Sequence, residues 1–202
     1  MIEKVAQTPL PTDFGLFTLT AFRDDATDQT HLAMSIGNLT ETENALVRVH
    51  SACATGELFR ANNCDCRQQL DSALQQIAEA GLGVVVYLDQ EGRGNGIIAK
   101  IQSLKLMSEE NLAPAEAYSR LGYPEDNRPF DIAATILRAL GVKPPIRILT
   151  NNPQKVQDLE QSGFKVSERL DLFFEPTTPL AKRHREIKRT REGHLLPPGA
   201  KE

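Results

Sequence analysis

Three cysteines pose the first chemical question. Cys53, Cys64 and Cys66 are spaced C-x10-C-x-C and are the chain's whole complement of cysteine. Thiolate is a strong zinc ligand, and three thiolates supply most of a tetrahedral shell. The long loop allows Cys53 to return to the pair, and Cys64 and Cys66 converge only where the backbone turns. That places the site at a helix entrance, where the helix N-terminus also favours thiolate over thiol. An odd count with single-residue spacing suits neither a disulfide framework nor a secreted scaffold. The bland alternative is three buried, inert thiols. A structural metal site would have to recruit a histidine from His31, His50, His184 or His194, and His50 is the nearest rival. Without one, the fourth position is open to water, which zinc activates near neutral pH.

Three further segments carry possible chemistry. EGRGNG (91–96) lies between a strand-like run and a helix-like one, which offers backbone N–H groups and Arg93 to an anion. Glycines serve plain turns equally well. EDNRPF (125–130) sets Asp126 two residues from Arg128 just before a helix, with Pro129 suited to its first position. Either the segment is a helix cap with a solvated Arg128, or Asp126 is a general acid/base and Arg128 a phosphate ligand. Lys155 follows ILTNNP at a helix start, where a solvated lysine is the default.

The elements that must hold these residues change character near residue 50. FGLFTLTAF (14–22), THLAMSIG (30–37) and NALVRVHS (44–51) read as strands joined by polar connections. Leu70, Ala73, Leu74, Ile77 and Ala78 recur at helical spacing. GVVVYLD (83–89) is a continuous apolar run suited to a strand buried on both faces. Helices are expected over 97–107, 113–121, 132–140 and 153–162, and strands over 146–150 and 164–172. This alternation implies an α/β fold: a mixed, partly parallel sheet covered by helices, with an N-terminal antiparallel β layer. The reading is one domain over 1–196 with a disordered tail at 197–202.

The 202 residues are 40% hydrophobic and 25% charged with net charge -4, an ordinary globular composition. The acidic balance argues against nucleic acid as the main partner. The segment 182–192, KRHREIKRTRE, is locally basic and reads as a solvated helix face, with phosphate contact as the rival. No run approaches the ~20 apolar residues of a membrane span, and the N-terminus lacks the apolar core of a secretory signal. A cytoplasmic protein is expected.

Taken together, RVHSACATG, NCDCRQQL, YLDQEGRGNG, LGYPEDNR, ILRALGV, ILTNNPQKV, the opening LPTDFG and the terminal REGHLL resemble GTP cyclohydrolase II. That family's zinc enzymes open the guanine imidazole ring at the entry to riboflavin synthesis. The resemblance implies zinc on Cys53, Cys64 and Cys66, and GTP contacts from Arg48, Val49, His50, Ser51, Gln69, Glu91, Gly92, Arg93, Thr150 and Lys155. Asp126 matches the proton acceptor, and Arg128 the residue that engages the α-phosphate. The implied reaction consumes GTP and water and releases formate and diphosphate. Magnesium is expected with the diphosphate, and a homodimer as the assembly.

The chain also departs from the family pattern. Ala52 stands at a substrate-contacting glutamate, Leu104 at a tyrosine and Pro114 at a threonine. Asp89 and Asn63 replace basic residues, and Pro129 replaces an aspartate. Losing a carboxylate, a phenol and a hydroxyl removes bonds that discriminate strongly between substrates. Three outcomes are therefore distinguished: a working GTP cyclohydrolase II, a divergent zinc hydrolase with another substrate or a formylated product, and a non-catalytic nucleotide-binding zinc protein.

Overall fold

The structure is a computed structural model that describes residues 1–176, 178–191 and 193–195, except the side chains of Leu180 and His184. The tail expected to be disordered, 197–202, lies outside the described residues. No helix among the described residues is long and apolar enough to cross a membrane. The chain divides into two compact units. The first comprises 1–50, 68–88 and 130–173; the second comprises 51–67, 89–129 and 174–202.

The first unit is built on one seven-stranded mixed sheet. Its strands are β1 (Ile2–Thr12), β2 (Gly15–Asp24), β3 (Gln29–Ile36), β4 (Leu46–Ser51), β5 (Gly83–Leu88), β6 (Ile146–Leu149) and β7 (Val166–Leu170). Their order across the sheet is β1-β2-β3-β5-β4-β6-β7. β1, β2, β3 and β5 pair antiparallel in sequence, whereas β4, β6 and β7 pair parallel. The N-terminal antiparallel strands are thus continuous with the parallel part. β1 departs from expectation: its residues are mostly exposed and it contains Pro9 and Pro11. Proline cannot donate to a ladder, so it is tolerated here only because β1 is an edge strand.

Strand alternation sorts the side chains of β4 onto two faces. Val47 and Val49 join Val84, Val86 and Leu88 of β5 and Ile146 and Ile148 of β6 in the main core. Helix α5 (Asp131–Ala139) closes that core with Ala133, Ile136 and Leu137, and α6 (Pro153–Gln161) adds Leu159. Burying each of these large aliphatic side chains contributes about 1.5–3 kcal/mol. Arg48 and His50 alternate with the core valines and therefore face the other way, where helix α2 (Cys66–Ala80) supplies Gln69. α6 begins at Pro153 after Asn152, whose side chain accepts from the Gln154 amide at 2.9 Å.

The second unit holds α1 (Ala54–Glu57), a tight turn at Glu91–Gly94, α3 (Gly96–Glu110), α4 (Pro114–Arg120) and α7 (Pro179–Thr190). α7 is the basic segment, and it is not a simply solvated face. Lys188 pairs with Asp65 at 3.7 Å, Arg185 with Glu175 at 2.8 Å and Arg191 with Glu116 at 2.7 Å. The Thr178 hydroxyl, at the α7 N-cap, donates to the Asn62 carbonyl at 3.0 Å. The Lys188–Asp65 and Thr178–Asn62 contacts tie the helix to the loop that carries Cys64 and Cys66.

Candidate metal centre and catalytic residues

In the second unit the sulfurs of Cys53, Cys64 and Cys66 all lie within 4.8 Å of one another. The chain produces this by placing Cys53 at the N-cap of α1 and Cys66 at the first position of α2. The Cys53 and Cys64 sulfurs are 3.8 Å apart, which is the edge of a tetrahedron with Zn–S bonds of about 2.3 Å. Gly56 is what allows the approach. A Cβ there would stand 2.7 Å from the Cys64 sulfur and 3.2 Å from that of Cys53.

The three thiols share charge unevenly. Hydrogen bonds from Cys64 and Cys66, helped by the Lys100 ammonium, hold the Cys53 thiol well below its ordinary range despite burial. Hydrogen bonding to that Cys53 thiolate pushes Cys64 up, and Cys66 further. Metal binding to cysteines displaces their thiol protons. Donor type, spacing and the glycine-lined approach all fit zinc. Among the described residues, the group of three or more potential ligands is this trio.

The EGRG turn sits beside the cysteines in the same unit. Glu91 accepts from the Ala54 amide at 2.6 Å, from the Gly92 amide at 2.9 Å and from Lys100 Nζ at 2.6 Å. Its carboxylate is therefore engaged with the chain itself. Gly92 and Arg93 both adopt left-handed backbone, with φ of 62° and 59°. For Arg93 that conformation costs about 1–2 kcal/mol, and the Asn127 amide holds it by donating to the Arg93 carbonyl at 2.9 Å. A Cβ on Gly94 would meet the Asn127 carbonyl oxygen at 2.6 Å, so glycine is required for the two loops to meet.

Asp126 and Arg128 form a two-pronged ion pair, with Arg128 Nε donating at 2.8 Å and Nη2 to the second carboxylate oxygen. Burial works against the Asp126 charge, but the Arg128 hydrogen bonds and charge prevail and hold its pKa below the usual value. Neither residue caps a helix. α5 begins at Asp131 with Phe130 at its N-cap, so Pro129 lies ahead of the first helical position. Arg128, at 17% side-chain exposure, is not simply solvated.

The first unit gathers another set of site candidates. Arg48 Nη1 donates to the Leu149 carbonyl at 2.9 Å and Nη2 to Gln69 Oε1 at 2.6 Å. The His50 ring stacks on Tyr87 with centroids 5.7 Å apart. Lys155 is buried rather than solvated: it donates to the Val49 carbonyl at 2.9 Å and lies 4.8 Å over the Phe130 ring. The Val49 side chain belongs to the core, which leaves its backbone for any contact. Thr150 is buried, and its hydroxyl accepts from the Asn152 amide at 3.1 Å.

Sequence reasoning assigned no role to Gln90, Lys100, Gly56 or Tyr118. Gln90 accepts from the Ser51 hydroxyl at 3.1 Å and donates to the Pro129 carbonyl at 2.7 Å. The Tyr118 hydroxyl would be 3.3 Å from a Cβ on Gly92, so it packs against the EGRG turn. Burial raises its pKa. Among the departures, Pro114 occupies the first position of α4, where proline is well suited.

A mixed-sheet α/β protein with a three-thiol cluster that could hold a metal ion is the class that fold and geometry define. The chain belongs to the GTP cyclohydrolase II family, whose pattern it matches over residues 3–171. It is 38% identical over 196 residues to "GTP cyclohydrolase-2" of Neisseria meningitidis serogroup C / serotype 2a, a match covering 97% of this chain and 98% of that protein. It is 44% identical over 197 residues to "Riboflavin biosynthesis protein RibBA" of Aquifex aeolicus, covering 97% of this chain and 48% of that protein. The RibBA protein of Chlorobium phaeovibrioides is 41% identical over 196 residues, with 97% and 47% covered. The chain spans about half the length of these RibBA relatives.

Proposed function

We propose that the chain is a zinc-dependent hydrolase that opens the imidazole ring of the guanine base of GTP, releasing formate and diphosphate, in riboflavin biosynthesis. The observation that carries this reading is the convergence of Cys53, Cys64 and Cys66 within 4.8 Å, in a chain of this family. When bound, zinc supplies Lewis acidity that activates water near neutral pH.

The protein's own residues have the following proposed roles. Asp126, kept anionic by Arg128, accepts a proton from the attacking water. Arg128 turns its remaining guanidinium donors to the α-phosphate while it holds Asp126. Arg93, carried on the turn that Gly92 shapes, receives phosphate oxygens, and Mg2+ accompanies the diphosphate. Arg48, Val49 through its backbone, His50, Ser51, Gln69, Glu91, Thr150 and Lys155 orient the nucleotide.

The protein is a cytoplasmic homodimer in this reading. Support for the dimer comes from Ile98 and Ile101, one turn apart on α3, and from Leu58 and Phe59, all exposed apolar side chains.

A second reading is a divergent hydrolase with altered substrate or a formylated product. It is favoured by Leu104 and Pro114 at expected phenol and hydroxyl positions, while the Tyr118 phenol packs against Gly92. The deciding experiment incubates zinc-loaded protein with a panel of purine nucleotides and follows ring opening, formate and diphosphate by mass analysis. Formate from GTP supports the first reading. Turnover of another nucleotide, or arrest at a formylated product, supports the second, and no turnover of any nucleotide removes the first.

A further inference from the structure

Lys100 lies on α3, forty-seven positions along the chain from the first cysteine, yet its ammonium reaches the cluster. Nζ donates to the Cys53 sulfur at 3.1 Å and to Glu91 Oε1 at 2.6 Å. Both partners are shielded: the side chains of Lys100 and Glu91 are 14% and 12% exposed. Glu91 is itself immobilised by the amides of Ala54 and Gly92. Since Ala54 follows Cys53 directly, one carboxylate ties the residue after the first ligand to the cation that touches that ligand. The result is a closed ring of contacts: Cys53 sulfur, Lys100, Glu91, Ala54 amide and back to Cys53.

We propose that Lys100 is a positioning residue of the metal centre, which orients the Cys53 thiolate and tunes its donation to the bound divalent ion through an N–H···S hydrogen bond. The inference rests on the three-thiol zinc reading. A lysine serves this better than an arginine, because a compact ammonium can aim separate donors at a sulfur and a carboxylate. A hydrogen bond to a thiolate draws electron density from the sulfur, so the metal it binds stays more electrophilic. Partners beyond the ligands act in this way on metal sites generally, and their loss costs about 10–100-fold in metal affinity.

The test compares the full-length zinc protein with Lys100→Met, which keeps the side chain's bulk without its charge or donors. Zinc affinity is measured by competition with a chromophoric chelator. The thiolate-to-metal charge-transfer band is recorded after cobalt substitution. The expected result is zinc binding weaker by about 10-fold or more and a band shifted to longer wavelength. Affinity within twofold of wild type, or an unmoved band, overturns the inference.

Because Lys100→Met also leaves the Glu91 carboxylate without this partner, the double variant Lys100→Met/Glu91→Gln separates charge imbalance from the sulfur contact. The band stays shifted in the double variant if the N–H···S bond is the cause, and its return to the wild-type position overturns the inference. A wild-type chain that binds no zinc overturns the metal reading and this inference with it. One tightly bound zinc in both wild type and Lys100→Met overturns this inference alone.

Discussion

In the sheet unit, Arg48 and Lys155 are buried with their charged ends against the carbonyl oxygens of Leu149 and Val49. In the other unit, Lys100 is half-buried against the Glu91 carboxylate and the Cys53 sulfur. The backbone explains the difference. Strand ends in a sheet present carbonyl dipoles at fixed spacing, so β4 and β6 can hold cations with neutral oxygens. A carbonyl positions a cation without cancelling its charge, whereas a carboxylate does both. The second arrangement fixes Lys100 rigidly beside the three thiols. Burial also means that neither lysine is a bland surface residue, because an ammonium taken out of water must be matched by designed acceptors.

The sharpest way to break this comparison is to remove a proposed metal ligand from one unit and watch the other. Cys64→Ser is expected to abolish stoichiometric zinc, read by metal analysis, and to lower ring opening by about 10³-fold or more. Hydrogen exchange in β4 to β6 should be unchanged; a general loss of protection there would mean that the cysteines hold up the whole fold. Next in size is Gly56→Ala, whose Cβ would intrude 2.7 Å from the Cys64 sulfur. Zinc affinity should fall about 10–100-fold in a chelator competition.

Arg48→Met probes the sheet unit. Nucleotide affinity, measured by calorimetry, should weaken about 10–100-fold, as expected for losing hydrogen bonds to a charged group, with zinc content intact. A parallel loss of zinc would end the separation of roles drawn above.

The smallest expected effect concerns Asp126, whose folded pKa lies below its unfolded value. Its ion pair therefore contributes stability that is present above the unfolded pKa and lost as pH falls through the folded one. With 39% side-chain exposure, solvent screening limits that contribution to under about 1 kcal/mol. Chemical denaturation should show wild type more stable than Asp126→Asn at pH 7, with the gap closing in acid below the ordinary carboxylate range. A gap that persists unchanged through that range would assign the stability to something other than the charge.

Much of the architecture was legible because it depends on local periodicity. GVVVYLD forms β5 with both faces covered, and Ile136 and Leu137 mark the buried face of α5. β1 escaped notice because an exposed edge strand needs no apolar alternation and can carry Pro9 and Pro11. The cysteines could be recognised because ligand type and spacing are properties of the sequence. The bonds from Lys100 to Cys53, from Lys155 to Val49 and from Gln90 to Ser51 and Pro129 could not, since they join positions 39 to 106 residues apart.

By itself, then, the sequence determined the α/β alternation, the metal-ready trio and the family's motifs, all of which are encoded in residue type and short-range spacing. Only the tertiary structure decided which lysines are buried and what they hold. It also decided that Glu91 is tied to Ala54 and that Lys100 reaches the Cys53 sulfur. The physical reason is that burial and hydrogen-bond partnership arise when distant segments close on one another, and no local pattern records which segments those will be.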